Sequence, residues 1–189
     1  MKLWTSHFFK RMFLVFFYVP RYIRKIKGFI LLGTYRVSIG SNVRFNFYYY
    51  KSKKFGKGFT IYDNAIIELH GYSEISIGEY VILSYGSIIS CAHKIEIGHH
   101  TMIGEYVTIR DSTHDYKSPG IIYGKKDIED KIIIGNNVWI GRGTIIMPGT
   151  IIEDNVIVGA NSVVKGTISK DSIIAGAPAK LIRMKEDLL

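Results

Sequence analysis

"IGNNVWIGRGTIIMPGTIIEDNVIVGANSVV", residues 134–164, sets an aliphatic residue at Ile134, Ile140, Ile146, Ile152, Val158 and Val164. The interval is six. Four positions after each aliphatic stands a small or β-branched residue: Val138, Thr144, Thr150, Val156 and Ser162. An amphipathic helix would repeat at about 3.6 residues and a half-buried strand at about 2. A period of six with β-branched enrichment fits short strands joined by corners, with each aliphatic pointing into a shared core. Glycine directly after the aliphatic, as at Gly135, Gly141 and Gly159, is expected to give the backbone freedom at the bends. Repeats of this kind specify a parallel β-helix whose coils stack and whose unpaired edges lie only at its ends.

Toward the N-terminus the same beat holds at Ile61 and Ile67, and again at Ile77, Leu83 and Ile89. After a two-residue slip it returns at Ile97, Ile103 and Ile109. Then it stops. The hexad Ile109–His114 is followed by "DYKSPGIIYGKKDIEDK", residues 115–131, which lies outside the repeat. Loops of this length inside a compact domain are often functional. A chain that leaves a rigid coil directly after a histidine would hold that side chain at a fixed rim beside a flap. An imidazole, with an ordinary pKa of ~6.5, suits proton removal at neutral pH.

The composition narrows the setting. At 189 residues the chain is read as one domain with appendages. Its one cysteine, Cys91, rules out an internal disulfide framework and fits a reducing cytoplasm; it is read as a small residue filling a repeat position. The net charge of +9 is unevenly spread. Residues 1–62 hold 13 Lys/Arg and no acid; the rest holds 12 Lys/Arg and all 16 acids. The opening segment, "MKLWTSHFFKRMFLVFFYVPRYIRKIKGFILLG", mixes bulky aromatics with cations. Its longest uncharged run, Met12–Pro20, is far short of the ~20 apolar residues of a membrane span. The pattern fits a segment lying on an anionic membrane surface through residues 1–27, or an apolar cap on the open end of the repeat core. Phe-rich neighbours argue for lipid over nucleic acid.

Three motifs together, "IGEYVTI" at 103–109, the stretch at 134–164, and "AGAPAKLIR" at 175–183, resemble the hexapeptide-repeat acyltransferases, and within them the O-acetyltransferases of sugars and bacterial surface polysaccharides. The resemblance covers roughly residues 60–184. It implies an all-β fold, a left-handed parallel β-helix with three hexads per coil, assembled as a homotrimer with sites between subunits. The general preference for right-handed crossovers points the other way, so the hand rests on the resemblance. The implied organisation is a basic, aromatic N-terminal segment over 1–35, a β-helix acyltransferase domain over 36–174 carrying the loop 115–131, and a coenzyme A-contacting tail over 175–189.

The resemblance also assigns roles. His114 matches the family's general base, taking the proton of a sugar hydroxyl as it attacks the acetyl carbon of acetyl-CoA. Asp111 matches an acid that orients the acceptor or His114, a solvated corner being the plainer reading. Ser84 stands where many relatives have an asparagine on the acceptor, and Tyr85 offers a ring face to a sugar. Trp139, Gly141, Gly159 and Ala160 are expected along the pantetheine path, with the Gly141 N–H as an oxyanion donor. Ala177, Lys180 and Arg183 are expected at the adenosine end, the two cations toward phosphate. His93, His99, His100 and His114 lack the spacing of a zinc site, and no metal is expected. The implied place of work is the cytoplasm or the inner face of the plasma membrane. N-acetylation of a nucleotide-linked amino sugar, or a non-catalytic trimeric membrane scaffold, are the alternatives.

Overall fold

A computed structural model describes Ile23, Ile26 and residues 28–188. The chain winds into a left-handed parallel β-helix of triangular section, built almost wholly of short strands. Face A stacks Ser38–Ile39, Thr60–Ile61, Ile82–Leu83, Met102–Ile103, Trp139–Ile140, Ile157–Val158 and Ser172–Gly176. Face B stacks Arg44–Phe47, Ile66–Leu69, Ile88–Cys91, Thr108–Arg110, Ile145–Ile146 and Val163–Val164. Face C stacks Ser52–Phe55, Glu74–Ile77, Lys94–Ile97, Ile132–Ile134, Ile151–Ile152 and Thr167–Ile168.

The aliphatic beat becomes three columns of buried side chains. Ile103 lies between Leu83 and Ile140, Ile109 between Ile89 and Ile146, and Ile134 between Ile97 and Ile152. All are buried. The small residues four positions later are buried as well, which suits β-branched side chains beneath a corner. Where they carry a hydroxyl, it turns back to a corner carbonyl. Thr101 donates to Gly135 O at 2.9 Å, and Ser87 to Gly104 O at 2.7 Å. A buried hydroxyl without such a partner would destabilise the coil.

The glycines after the aliphatics do a different job from the one the sequence suggests. Gly98, Gly104, Gly135 and Gly141 have no positive φ. A Cβ on Gly141 would stand 2.6 Å from the Ala160 nitrogen, and one on Gly98 would stand 2.5 Å from the carbonyl carbon of Gly135. Close approach of successive coils requires them, not freedom at a bend. The left-handed backbone falls two residues later, at positions such as His100, Tyr106, Asn137 and Gly143.

A coil of three hexads takes 18 residues, as from Trp139 to Ile157. From Ser38 to Thr60 and from Thr60 to Ile82 it takes 22, and from Ile82 to Met102 it takes 20. The surplus falls in one place. Strands of faces B and C lengthen there, and the corner between them bulges at residues 48–51, 70–73 and 92–93. The long loop after His114 leaves from the same B–C edge. Every departure from six therefore marks one edge of the prism.

The helical residues 28–32 and the turn after them close the first coil, with Leu32 and Val37 in the core and the Leu31 carbonyl accepting from Lys53 Nζ. Ile23, Ile26, Phe29 and Ile30 face outward. Residues 1–22 of the expected N-terminal segment lie outside the described residues. At the other end Ala179–Met184 folds back antiparallel on Ser172–Gly176, so the expected tail is the last strand of face A. No described helix is long and apolar enough to cross a membrane.

Candidate active site

The neck of the loop is a short antiparallel ladder. Ser112 pairs with Glu129 and Thr113 with Ile128, and Asp130 N–H donates to Asp111 O at 2.8 Å. His114 stands immediately beyond this clamp and is 78% exposed at its side chain. Its Nδ1 lies 2.9 Å from Asp127 Oδ1, on the returning arm of the loop. With the proton on Nδ1 toward that carboxylate, Nε2 presents a lone pair to solvent, the tautomer a general base requires. Sequence reading missed Asp127, which sits thirteen residues away in a segment without periodicity.

Asp111 is not the solvated corner of the plainer reading, and it does not reach His114. It is fully buried. Its carboxylate accepts the N–H of Ala92 at 2.7 Å and of His93 at 2.9 Å, and faces Cys91 Sγ at 3.5 Å. Having no surface to offer an acceptor, it ties the corner of the preceding coil to the base of the loop. Burial first, and then the neighbouring carboxylate, push the Cys91 thiol far up, so it is a packed thiol and no nucleophile.

A groove of about 770 Å³ runs along face A and its A–B edge. Ser84, Tyr85, Trp139, Gly141, Gly159 and Ala160 all line it, together with Tyr62, Met102, Glu105 and Arg142, which sequence reading had not singled out. The register explains the gathering. Met102, Trp139 and Ile157 are neighbours on face A although 37 and 18 residues separate them. Trp139 is 51% exposed along the groove floor. Tyr62 and Tyr85 sit with ring centroids 4.8 Å apart at its upper end.

The Gly141 N–H donates to Val158 O at 2.8 Å, as part of the ladder between coils. It is therefore not free to stabilise an oxyanion, and that expectation is corrected. The N–H groups of Arg142 and Ala160, two residues that line the groove, make no hydrogen bond among the described residues.

Below the groove, Lys180 pairs with Ala175 at the A–B edge, and the exposed Ala177 lies in the turn beside it. Arg183 pairs with Ile173, three residues further along the strand, which puts it roughly 10 Å away toward the opposite edge. Lys180 continues the edge line of Gly141 and Gly159, and Arg183 continues the row of Trp139 and Ile157 on the groove floor. The remaining histidines scatter. His99 accepts the Glu79 N–H at the C–A edge, His100 stacks on Tyr80, and His93 is at the B–C edge. Among the described residues no three His, Cys, Asp or Glu side chains gather about one point.

His114 and the groove thus occupy two different edges of one prism, with face B between them. The model of the bacterial transferase hexapeptide (six repeats) matches residues 131–166. A putative lipopolysaccharide biosynthesis O-acetyl transferase, WbbJ, of Escherichia coli (strain K12) is 34% identical over 140 residues, 70% of this chain and 71% of that protein. The galactoside O-acetyltransferase of the same organism is 32% identical over 136 residues, 68% of this chain and 64% of its own length. The solved structure of a galactoside acetyltransferase in complex with coenzyme A has this fold, with a TM-score of 0.60 at 24% identity over 85% of this chain and 68% of that one. By its hexads and these likenesses, the chain belongs to the hexapeptide-repeat acetyltransferases, which draw their acyl group from acetyl-CoA.

Proposed function

We propose that the protein transfers an acetyl group from acetyl-CoA to a sugar hydroxyl of a bacterial surface polysaccharide or its lipid-linked precursor, working as a homotrimer. The observation that carries this reading is the groove, which collects six residues expected to hold donor and acceptor. A relative named for lipopolysaccharide biosynthesis supports the acceptor class.

Face B supports the trimer. Its outward row runs Ile66, Ile88, Thr108, Ile145 and Val163, while the row of face C runs Lys54, Ser76 and Glu96 over the first three coils and turns apolar only at Ile133 and Ile151. The apolar row belongs against other copies. Setting three B faces about a common axis brings the B–C edge of one protomer, with His114, beside the A–B edge of the next, with its groove. The exposed Ile121, Ile122 and Tyr123 on the loop then have a neighbour to cover them. Each site draws on two subunits.

In that site Nε2 of His114 takes the hydroxyl proton as the sugar oxygen attacks the acetyl carbonyl carbon. The tetrahedral oxyanion lies within reach of the N–H groups of Arg142 or Ala160. Collapse breaks the C–S bond, and the imidazolium returns its proton to the departing CoA thiolate. Pantetheine lies along Trp139 and the close-stacked Gly141 and Gly159, and Lys180 meets phosphate at the lower end. The outward Ile23, Ile26, Phe29 and Ile30, with the acid-free sequence around them, support peripheral contact with an anionic membrane through residues 1–27.

Release of free CoA thiol from acetyl-CoA, measured against sugars, nucleotide-linked amino sugars and lipid-linked glycans, tests the reading. Release with a hydroxyl acceptor that His114→Ala abolishes is the expected result. Release only with an amino sugar selects N-transfer instead, and acetyl-CoA that fails to bind overturns the enzyme.

A further inference from the structure

The bulged B–C edge carries more than His114. Its first two bulges expose Tyr48, Tyr49 and Tyr72, which are 73%, 63% and 65% accessible. Tyr48 stacks on His70 with centroids 5.6 Å apart, and Tyr49 lies 6.2 Å from Tyr72. The third bulge exposes His93, and the fourth coil brings His114. These four corners stand one above another, so the aromatic strip begins at Tyr72 roughly 10 Å from the catalytic histidine, two strand spacings away, and ends at Tyr48 and Tyr49 one spacing further.

A β-helix needs no such rings. The core is filled by Ile67, Leu69, Ile75 and Ile77 behind them, with Tyr50 packed against it and Ser73 buried, while Tyr48, Tyr49 and Tyr72 are left exposed. Large exposed aromatics in a row mark a contact surface. Its chemistry selects the ligand. The Lys51 ammonium lies 5.9 Å from the Tyr72 ring but is paired with Glu74 at 2.6 Å, so among the described residues the strip itself holds no free cation for a polyanion. The rings are tyrosines and histidine without aliphatic companions, unlike a surface for acyl chains. Amphipathic rings with hydroxyl rims suit a neutral ligand with alternating C–H faces and hydroxyls.

We infer that the B–C edge above His114 binds a run of linked sugar residues, so that the acceptor is an extended glycan chain acetylated at a residue lying at His114, with the chain running along Tyr72, Tyr49 and Tyr48. This rests on the sugar O-acetyltransferase reading and names the length of its acceptor. Only the residue at His114 reacts; those beyond it contribute binding.

The test is retention on an array of bacterial surface-glycan fragments, each sugar present as monosaccharide and as tetrasaccharide. The proteins are the wild type, the combined Tyr48→Ala, Tyr49→Ala and Tyr72→Ala variant, and a Tyr72→Phe control. The expected result is tetrasaccharide retention ~10-fold or more above the matching monosaccharide, lost in the triple variant and kept by Tyr72→Phe. Equal retention of short and long fragments, retention unchanged in the triple variant, or no retention of any fragment overturns the inference. So does a triple variant that elutes as a monomer in size-exclusion with light scattering, which would assign the tyrosines to the contact between subunits. His114-dependent CoA release with a monosaccharide, unchanged in the triple variant, keeps the enzymatic reading standing whichever way the array decides. Absence of that release with every acceptor is failure of the enzymatic reading itself.

Discussion

The imidazole of His114 and the carboxylate of Asp127 meet at 2.9 Å across the neck of a loop that has no repeat. The pair is exposed, so it adds little to stability. Its value lies in fixing the ring and its tautomer. Asp127→Asn is expected to lower kcat by about tenfold, less than the ~10²–10⁴ a general base is worth, with the KM for acetyl-CoA unchanged. Asp127→Glu should restore part of the loss. A kcat indifferent to Asp127→Asn would leave the contact without a role in presenting Nε2.

Asp111 is three residues from His114 in sequence yet acts on the coil above. Asp111→Ala leaves the N–H groups of Ala92 and His93 without their acceptor, at a cost of about 1–3 kcal/mol. Asp111→Asn can accept only through one oxygen and should fall between. Thermal unfolding measures both, and the activity of Asp111→Asn below its transition should stay within a few-fold of wild type. A large activity loss with unaltered stability would return Asp111 to the acceptor.

The two aspartates show what the sequence can carry. Register along the columns follows from a period of six, so part of the groove was legible: Trp139 and Ile157, 18 apart, become neighbours by arithmetic, whereas Met102 and Trp139, 37 apart, meet across the loop. The loop offers no such rule, and Asp127 stayed hidden. Asp111 was visible but misplaced, because its hexad leaves the regular winding at Asp111 and Ser112, both of which turn inward. The slips after Ile67 and Ile89 could be counted in sequence. That they share an edge with His114 appears only when the coils are stacked.

Two glycines separate close approach from backbone conformation. Gly141→Ala forces a Cβ against the Ala160 backbone and should cost about 3 kcal/mol, narrowing the groove as the coils part. Gly166→Ala meets nothing within 4 Å and pays only for its φ of +84°, about 1 kcal/mol. Chemical denaturation of the two variants decides. Equal losses would mean that coil separation at Gly141 is soft.

Cys91 ties stability to alkaline pH. The folded thiol is raised by burial, then by the Asp111 carboxylate, while the unfolded thiol ionises near ~8.5. Above that pH the unfolded state binds fewer protons than the folded one, so the thiol's contribution, full at neutral pH, declines by up to ~1.4 kcal/mol per pH unit. Unfolding measured from pH 8 to pH 10 should show this slope in wild type and a shallower one in Cys91→Ala. A native thiol that reacts readily with a disulfide reagent at pH 8 would contradict the assignment.

The last prediction concerns the two edges. If one protomer supplies His114 and the next supplies the groove, two inactive variants can complement each other. His114→Ala keeps an intact groove and Trp139→Ala an intact histidine. Refolded together in equal amounts, they assemble mixed trimers in which about a quarter of the interfaces join the good histidine to the good groove, because a head-to-tail contact draws each side independently. Activity near a quarter of wild type is expected, against almost none when the variants are mixed without unfolding. Ile145→Lys, which sets a charge on the outward row of face B, should yield monomers and remove the activity while the coils remain folded. Refolded mixtures no more active than their components would place the whole site within one chain. The 78% exposure of His114 and the distance of its edge from the groove weigh against that outcome.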